Sequence, residues 1–186
     1  MTSILTVFAA IDTANAGDPK SVNGRPAALV YGERMTIELD RLFPDAPDLL
    51  RIAARGQHIE RWLLPRSDFP AGREGYLEWR REEARRHGER LGAIMRAAGY
   101  SDADADRVGT LVRKEGIKRD AEVQALEDVI CFVFLRWYFT PFAAGRSEEE
   151  LLRIVTKAAR KMSEQGRAQV RAEFALPHPF AAAFHD

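Results

Sequence analysis

Two histidines and one pair of adjacent carboxylates stand out of place in this chain of 186 residues. His58 lies in Arg55-Gly-Gln-His-Ile-Glu-Arg-Trp62, at the end of an apolar run. His87 falls on the edge of an apolar helical stripe, two and three turns after Arg80 and Tyr76, and faces inward. Glu127 and Asp128 enter the most apolar segment of the chain, which reads as buried nearly all round. Imidazole can carry a proton near neutral pH or give its lone pair to a metal, and a carboxylate can act as base or ligand. A buried, unpaired carboxylate costs roughly several kcal/mol, so one of the pair is expected to face an arginine, a histidine or a metal ion. The plain alternative is a structural ion pair for the carboxylates and a satisfied core position for His87.

The basic groups form a third set. Arg61, Arg66, Arg73, Arg80 and Arg81 gather around the loop Leu63–Gly75, and Lys114, Lys118 and Arg119 precede the apolar helix. With 28 basic against 28 acidic side chains, no global field favours nucleic acid or anionic lipid, and any anion site must be local. Arginine forks and lysine point charges are what a phosphate site uses, although arginine-rich surfaces are common. In the phosphate reading, Arg66, Arg80 and Lys118 hold charge, and Trp62, Tyr76 and Trp79 offer a stacking face.

The elements that must position these groups are helical throughout. Apolar residues make up 46% of the chain, enough to bury one full core, and a single domain over 1–186 is expected. The dominant 3.6-residue period predicts an all-α bundle of about seven helices. These are 4–16, 26–43, 47 toward Trp62, 76–98, 101–115, 120–142 and 147–167. Ser101 with Asp104, Asp120, and Ser147 with Glu150 mark helix starts. On a regular third helix, His58 lies opposite Leu49, Ile52 and Ala53, beside Arg51 and Arg55. That is either a solvated face or the second face of a central helix lining a polar cleft.

One cysteine, Cys131, excludes a disulfide framework and a cysteine-rich zinc site, and fits a reducing compartment. No run approaches the ~20 apolar residues of a membrane span, and the N-terminal run reads as a first helix rather than a signal peptide. A cytoplasmic, non-membrane protein is expected, and a homodimer is compatible with the sequence. QHIERW and RKMSEQG echo the HIGH and KMSKS signatures of class I tRNA synthetases. That reading is rejected, because no strand-crossover pattern exists to build the parallel sheet those motifs need.

The ensemble resembles the HD superfamily, all-helical metal-dependent phosphohydrolases. AARGQHIE is similar to the helix ending in the His-Asp pair, with His58 on the histidine and Ile59 where the aspartate belongs. HGERLGAIMRAAGY looks like the later histidine-led helix, carrying over His87, and EVQALEDVICFVFL like the late helix, carrying over Asp128. The first histidine's position falls near YGERM, at Tyr31 and Glu33. The resemblance implies a divalent metal held by His58, His87 and Asp128, with Glu127 and Asp128 as catalytic carboxylates. It also implies a phosphorylated, nucleotide-like small molecule as substrate. More closely, the whole chain is identified as a member of an uncharacterised family, domain of unknown function 4202. IDTANAGDP, QHIERW, GYLEWR, KRDAEVQALEDV and KMSEQGR carry that resemblance. The competing expectation is a catalytically silent module that binds a ligand or partner, which the missing aspartate favours.

Overall fold

Residues Val7, Ile11 and Asn15, four apart, bury one face of the first helix, α1 (Ile4–Asn15), as the apolar period predicts. The computed structural model describes residues 3–185 and is helical almost throughout. The connector that follows α1 is not plain loop. Asn23 and Gly24 both take left-handed φ, 52° and 76°, which turns the chain into a two-residue antiparallel hairpin of β1 (Ser21–Val22) and β2 (Arg25–Pro26). Among the described residues these are the only strands, so the expected absence of a parallel sheet holds.

Helix α2 (Ala27–Leu42) buries Ala28, Met35 and Leu39. Helix α3 spans only Asp48–Arg55 and does not continue toward Trp62. The cause is local. Gly56 lies against Leu91 so closely that a Cβ there would sit 2.3 Å from Leu91 Cδ2, and the chain turns away through Gln57 and His58. Glu60, at φ 51°, completes the change of direction before two short 3-10 turns, Arg61–Leu63 and Arg66–Asp68. Helix α4 (Gly72–Ala97) and α5 (Asp102–Arg113) then pack along one another, with Leu91, Met95, Val108, Leu111 and Val112 buried. Glycines make the close approach possible: a Cβ on Gly88 would be 3.4 Å from Gly109 Cα. The Ser101 hydroxyl accepts from the Asp104 N–H, as the capping motif predicts.

Asp120 caps α6 (Ala121–Val133) by accepting from the N–H groups of Glu122 and Val123. The single helix expected over 120–142 is interrupted by a π-helical stretch, Phe134–Tyr138, before α7 (Phe139–Ala143). The last predicted helix is also split. Ser147 starts α8 (Glu148–Lys161), and Ser163 starts α9 (Glu164–Glu173) by accepting from Gly166 N–H, so KMSEQG straddles a helix junction. With α10 (His178–Ala182), the described residues form ten α-helices rather than about seven.

The chain resolves into two compact units, Met1–Glu115 and Gly116–Asp186. No helix among the described residues is long and apolar enough to cross a membrane.

Candidate functional site

The early end of α3 overturns the helical-wheel placement of His58. Once the helix stops, His58 leaves the face of Arg51 and Arg55 and is partly buried against groups from three other segments. Tyr31 of α2 stacks on its ring, with centroids 4.4 Å apart and planes 18° from parallel. His87 of α4 approaches to 6.0 Å between ring centroids. Arg61, just past the turn, brings Nη1 to 2.9 Å from His58 Nε2.

Glu83, one helical turn before His87, completes the cluster and was not singled out in the sequence. Its Oε2 lies 3.6 Å from His87 Nε2 and 3.2 Å from Arg61 Nε. Neither approach is aligned well enough to satisfy it: Glu83 Oε2 and His87 Nε2 are both buried without a hydrogen-bond partner. The signal was present as an i, i+4 Glu-His pair on the inward edge of α4. It was lost among the many charged residues of REEARRHGER.

Burial dominates the electrostatics. It pushes the Glu83 carboxyl up to about 7 against the pull of Arg61, Arg80 and Arg86. It holds His87 down at about 3, and Arg61, Arg80 and Arg86 push the same way. His58 is held well below its ordinary value by burial and by the Arg61 charge. The close Glu83–His87 contact is therefore not an ion pair at neutral pH, because His87 is uncharged there.

These groups open on one cleft of about 320 Å³. Arg61, Arg80, Arg81, Arg113 and Lys114 line it together with Gln57, and Glu83 is the one acidic residue in its wall. Arg80 and Arg81 come from α4, Arg113 from the end of α5, and Lys114 takes left-handed φ to close that helix. Arg81 is exposed and Arg80 half-buried. A concave surface with five cations, two neutral imidazoles and one buried carboxyl is suited to an oxyanion ligand and to proton transfer at it.

Other expected site residues serve elsewhere. Arg66 donates to the carbonyls of Phe69, Pro70 and Gly72 and braces the loop before α4. Trp79 is buried, its indole N–H donating to Leu64 O at 3.0 Å, with the Arg61 guanidinium 4.9 Å above its ring. Tyr76 is exposed and packs on Trp79. Trp62 is half-buried near Gly17. None of these three aromatics lines the cleft.

In the second unit, Lys118 donates to Met162 O at 2.6 Å. Glu127 and Asp128 are both buried, as expected, and Glu127 lies 3.7 Å from Lys161 Nζ. Among the described residues Asp128 makes no hydrogen bond or ion pair to an arginine or histidine. It accepts from Ser163 N–H at 2.8 Å, from Ser163 Oγ at 2.5 Å and from Gln124 Nε2 at 3.2 Å. Burial raises its carboxyl above the ordinary value and these bonds oppose the rise.

The donors implied for a divalent ion do not fit one as placed. Asp128 is spent on the junction of α8 and α9, and a permanently charged guanidinium stands against His58 and Glu83 where a cation would seek its ligands. Among the described residues no three His, Cys, Asp or Glu side chains are disposed to hold a metal.

The fold and cleft define an all-helical protein with a basic, histidine-containing pocket. The family model described as a domain of unknown function (DUF4202) matches residues 5–183, and the chain belongs to that family. No curated protein and no solved structure matches it.

Proposed function

We propose that the chain is a divergent HD-like protein whose cleft binds a phosphorylated small molecule and catalyses hydrolysis at its phosphoryl group. The observation that carries the reading is the meeting of His58 and His87, from separate segments, in a cleft lined by five cations. Tyr31 supports the HD-like relationship. It stands in the segment matched to the first histidine of that superfamily and stacks directly on His58. In this reading Arg80, Arg81, Arg113 and Lys114 neutralise the phosphate, and the Glu83–His87 pair moves the proton. The nucleotide-like part of the substrate assignment rests on the resemblance alone, since the stacking residues lie outside the cleft.

One observation favours a second reading, the silent binding module. Ile59, at the position of the aspartate in the HD pair, is 1% exposed and belongs to the core.

A thermal-shift screen with inorganic phosphate, pyrophosphate and nucleoside mono-, di- and triphosphates tests both, coupled to measurement of released phosphate. The enzyme reading expects stabilisation by at least one ligand and phosphate release that His87→Ala abolishes. Stabilisation without release supports the silent module, and no stabilisation by any anion overturns both.

A further inference from the structure

Arg61 differs from two other partly buried arginines of its unit, Arg55 and Arg66. Arg55 holds Asp12 with two bonds of 2.8 and 2.6 Å, and Arg66 is spent on backbone carbonyls. Among the described residues Arg61 donates through Nη1 to the His58 imidazole, and its Nε meets Glu83 Oε2 at 3.2 Å without an aligned hydrogen bond. A guanidinium carries five donors in a planar fork, so most of this one's capacity is unused. It nonetheless stands in the wall of the cleft, supported from behind by the Trp79 ring at 4.9 Å. His58 and Glu83 are weak holders, one a neutral imidazole and the other a buried carboxyl with a poorly aligned contact.

We infer that Arg61 is the anion clamp of the cleft, its guanidinium parked on His58 and Glu83 and passing to the phosphate-type ligand, so that charge is met by an arginine fork and not by a divalent ion. The inference rests on the reading of the cleft as an anion site. A planar fork matches two oxygens of a phosphate, whereas Glu83 meets it through Oε2 at 3.2 Å without an aligned hydrogen bond and His58 offers a neutral imidazole. When the fork turns to the ligand it leaves the Trp79 ring or changes its distance from it, and the indole reports the transfer.

The probe is pyrophosphate, titrated into the full chain after chelation and desalting, and again with added Mn²⁺, with calorimetry and tryptophan emission as readouts. The expected result is binding of equal strength with and without Mn²⁺, and an emission change that Trp79→Phe removes. Arg61→Met weakens binding at least tenfold and abolishes the emission change, while Arg61→Lys retains part of the affinity. Binding only when Mn²⁺ is present leaves the anion site standing and overturns the role of Arg61. Binding by Arg61→Met within twofold of the natural chain overturns it too. Absence of pyrophosphate binding under both conditions removes the anion site and the clamp together. If Arg61→Met does not fold by circular dichroism, the chelated natural chain and Arg61→Lys decide the matter.

Discussion

Glu83 Oε2 and His87 Nε2 face each other at 3.6 Å on one edge of α4, both buried and neither hydrogen-bonded. The pair has opposite titration consequences. Glu83 is raised from 4.5 to about 7, so the fold favours its neutral form, and the resulting stability is complete below pH 4.5 and lost as pH rises through 7. His87 is lowered from 6.5 to about 3, so its contribution is present above pH 6.5 and lost as pH falls toward 3.

Glu83→Gln should therefore flatten the alkaline side of the stability profile and leave the acid side. An amide has nearly the shape of the neutral carboxyl, so the two proteins should match near pH 4.5. At pH 8 the variant should be more stable by about 3 kcal/mol, the linkage value of the Glu83 shift. Urea denaturation at both pH values measures the difference, and a variant no more stable than the natural chain at pH 8 refutes the buried, strained carboxylate.

Asp128 should prove to be a structural residue of the second unit. Its removal leaves the Ser163 N–H and hydroxyl without their acceptor beneath a 3% exposed surface. Asp128→Ala is expected to cost about 2–4 kcal/mol in denaturant unfolding. Ser163→Ala should cost less, and the double variant less than the sum, because both act on one network. Additive losses would show that the two side chains are independent.

Helix starts and the two-fold burial of Glu127 and Asp128 were legible because capping chemistry and apolar period are local. Ser101, Asp120 and Ser147 each cap where the sequence places them. The wheel could not decide between a solvated face and a polar cleft for His58, because α3 ends through a long-range contact, Gly56 against Leu91, that no local pattern announces. For a similar reason the partner of Asp128 was hidden. Its partner Ser163 lies inside what reads as one capped helix, and only the break at Met162 turns the serine toward it. Glu83 was missed because one buried glutamate in a run of solvated ones has no signature in sequence.

Gly32 should be intolerant of a side chain. A Cβ there would lie 2.7 Å from the carbonyl oxygen of Arg55, which is backbone at the end of α3 and cannot rotate away. Gly32→Ala must push α2 off α3 despite alanine's better helix propensity, with an expected net loss of about 1–3 kcal/mol. Because Tyr31 is the adjacent residue, the shift should also disturb the stack on His58, seen as a change in the His58 ring proton resonances. Unchanged stability and unchanged His58 resonances would show that the two helices pack more loosely than their geometry implies.

Arg80 and Lys118 were read from sequence as equivalent phosphate holders, and they should part company in experiment. Arg80 lines the cleft and makes no hydrogen bond or ion pair among the described residues, so Arg80→Ala removes a charge at little structural cost. Loss of one charge-assisted contact is worth about 1.5–3 kcal/mol, so pyrophosphate binding should weaken by roughly 10- to 100-fold with little change in melting temperature. Lys118 belongs to the second unit and donates to Met162 O, the residue that ends α8. Lys118→Met is expected to lower stability by about 1–2 kcal/mol and to leave pyrophosphate affinity within threefold. Calorimetric titration and thermal melting of the two variants side by side check the division, and an affinity loss confined to Lys118→Met would move the anion site out of the cleft.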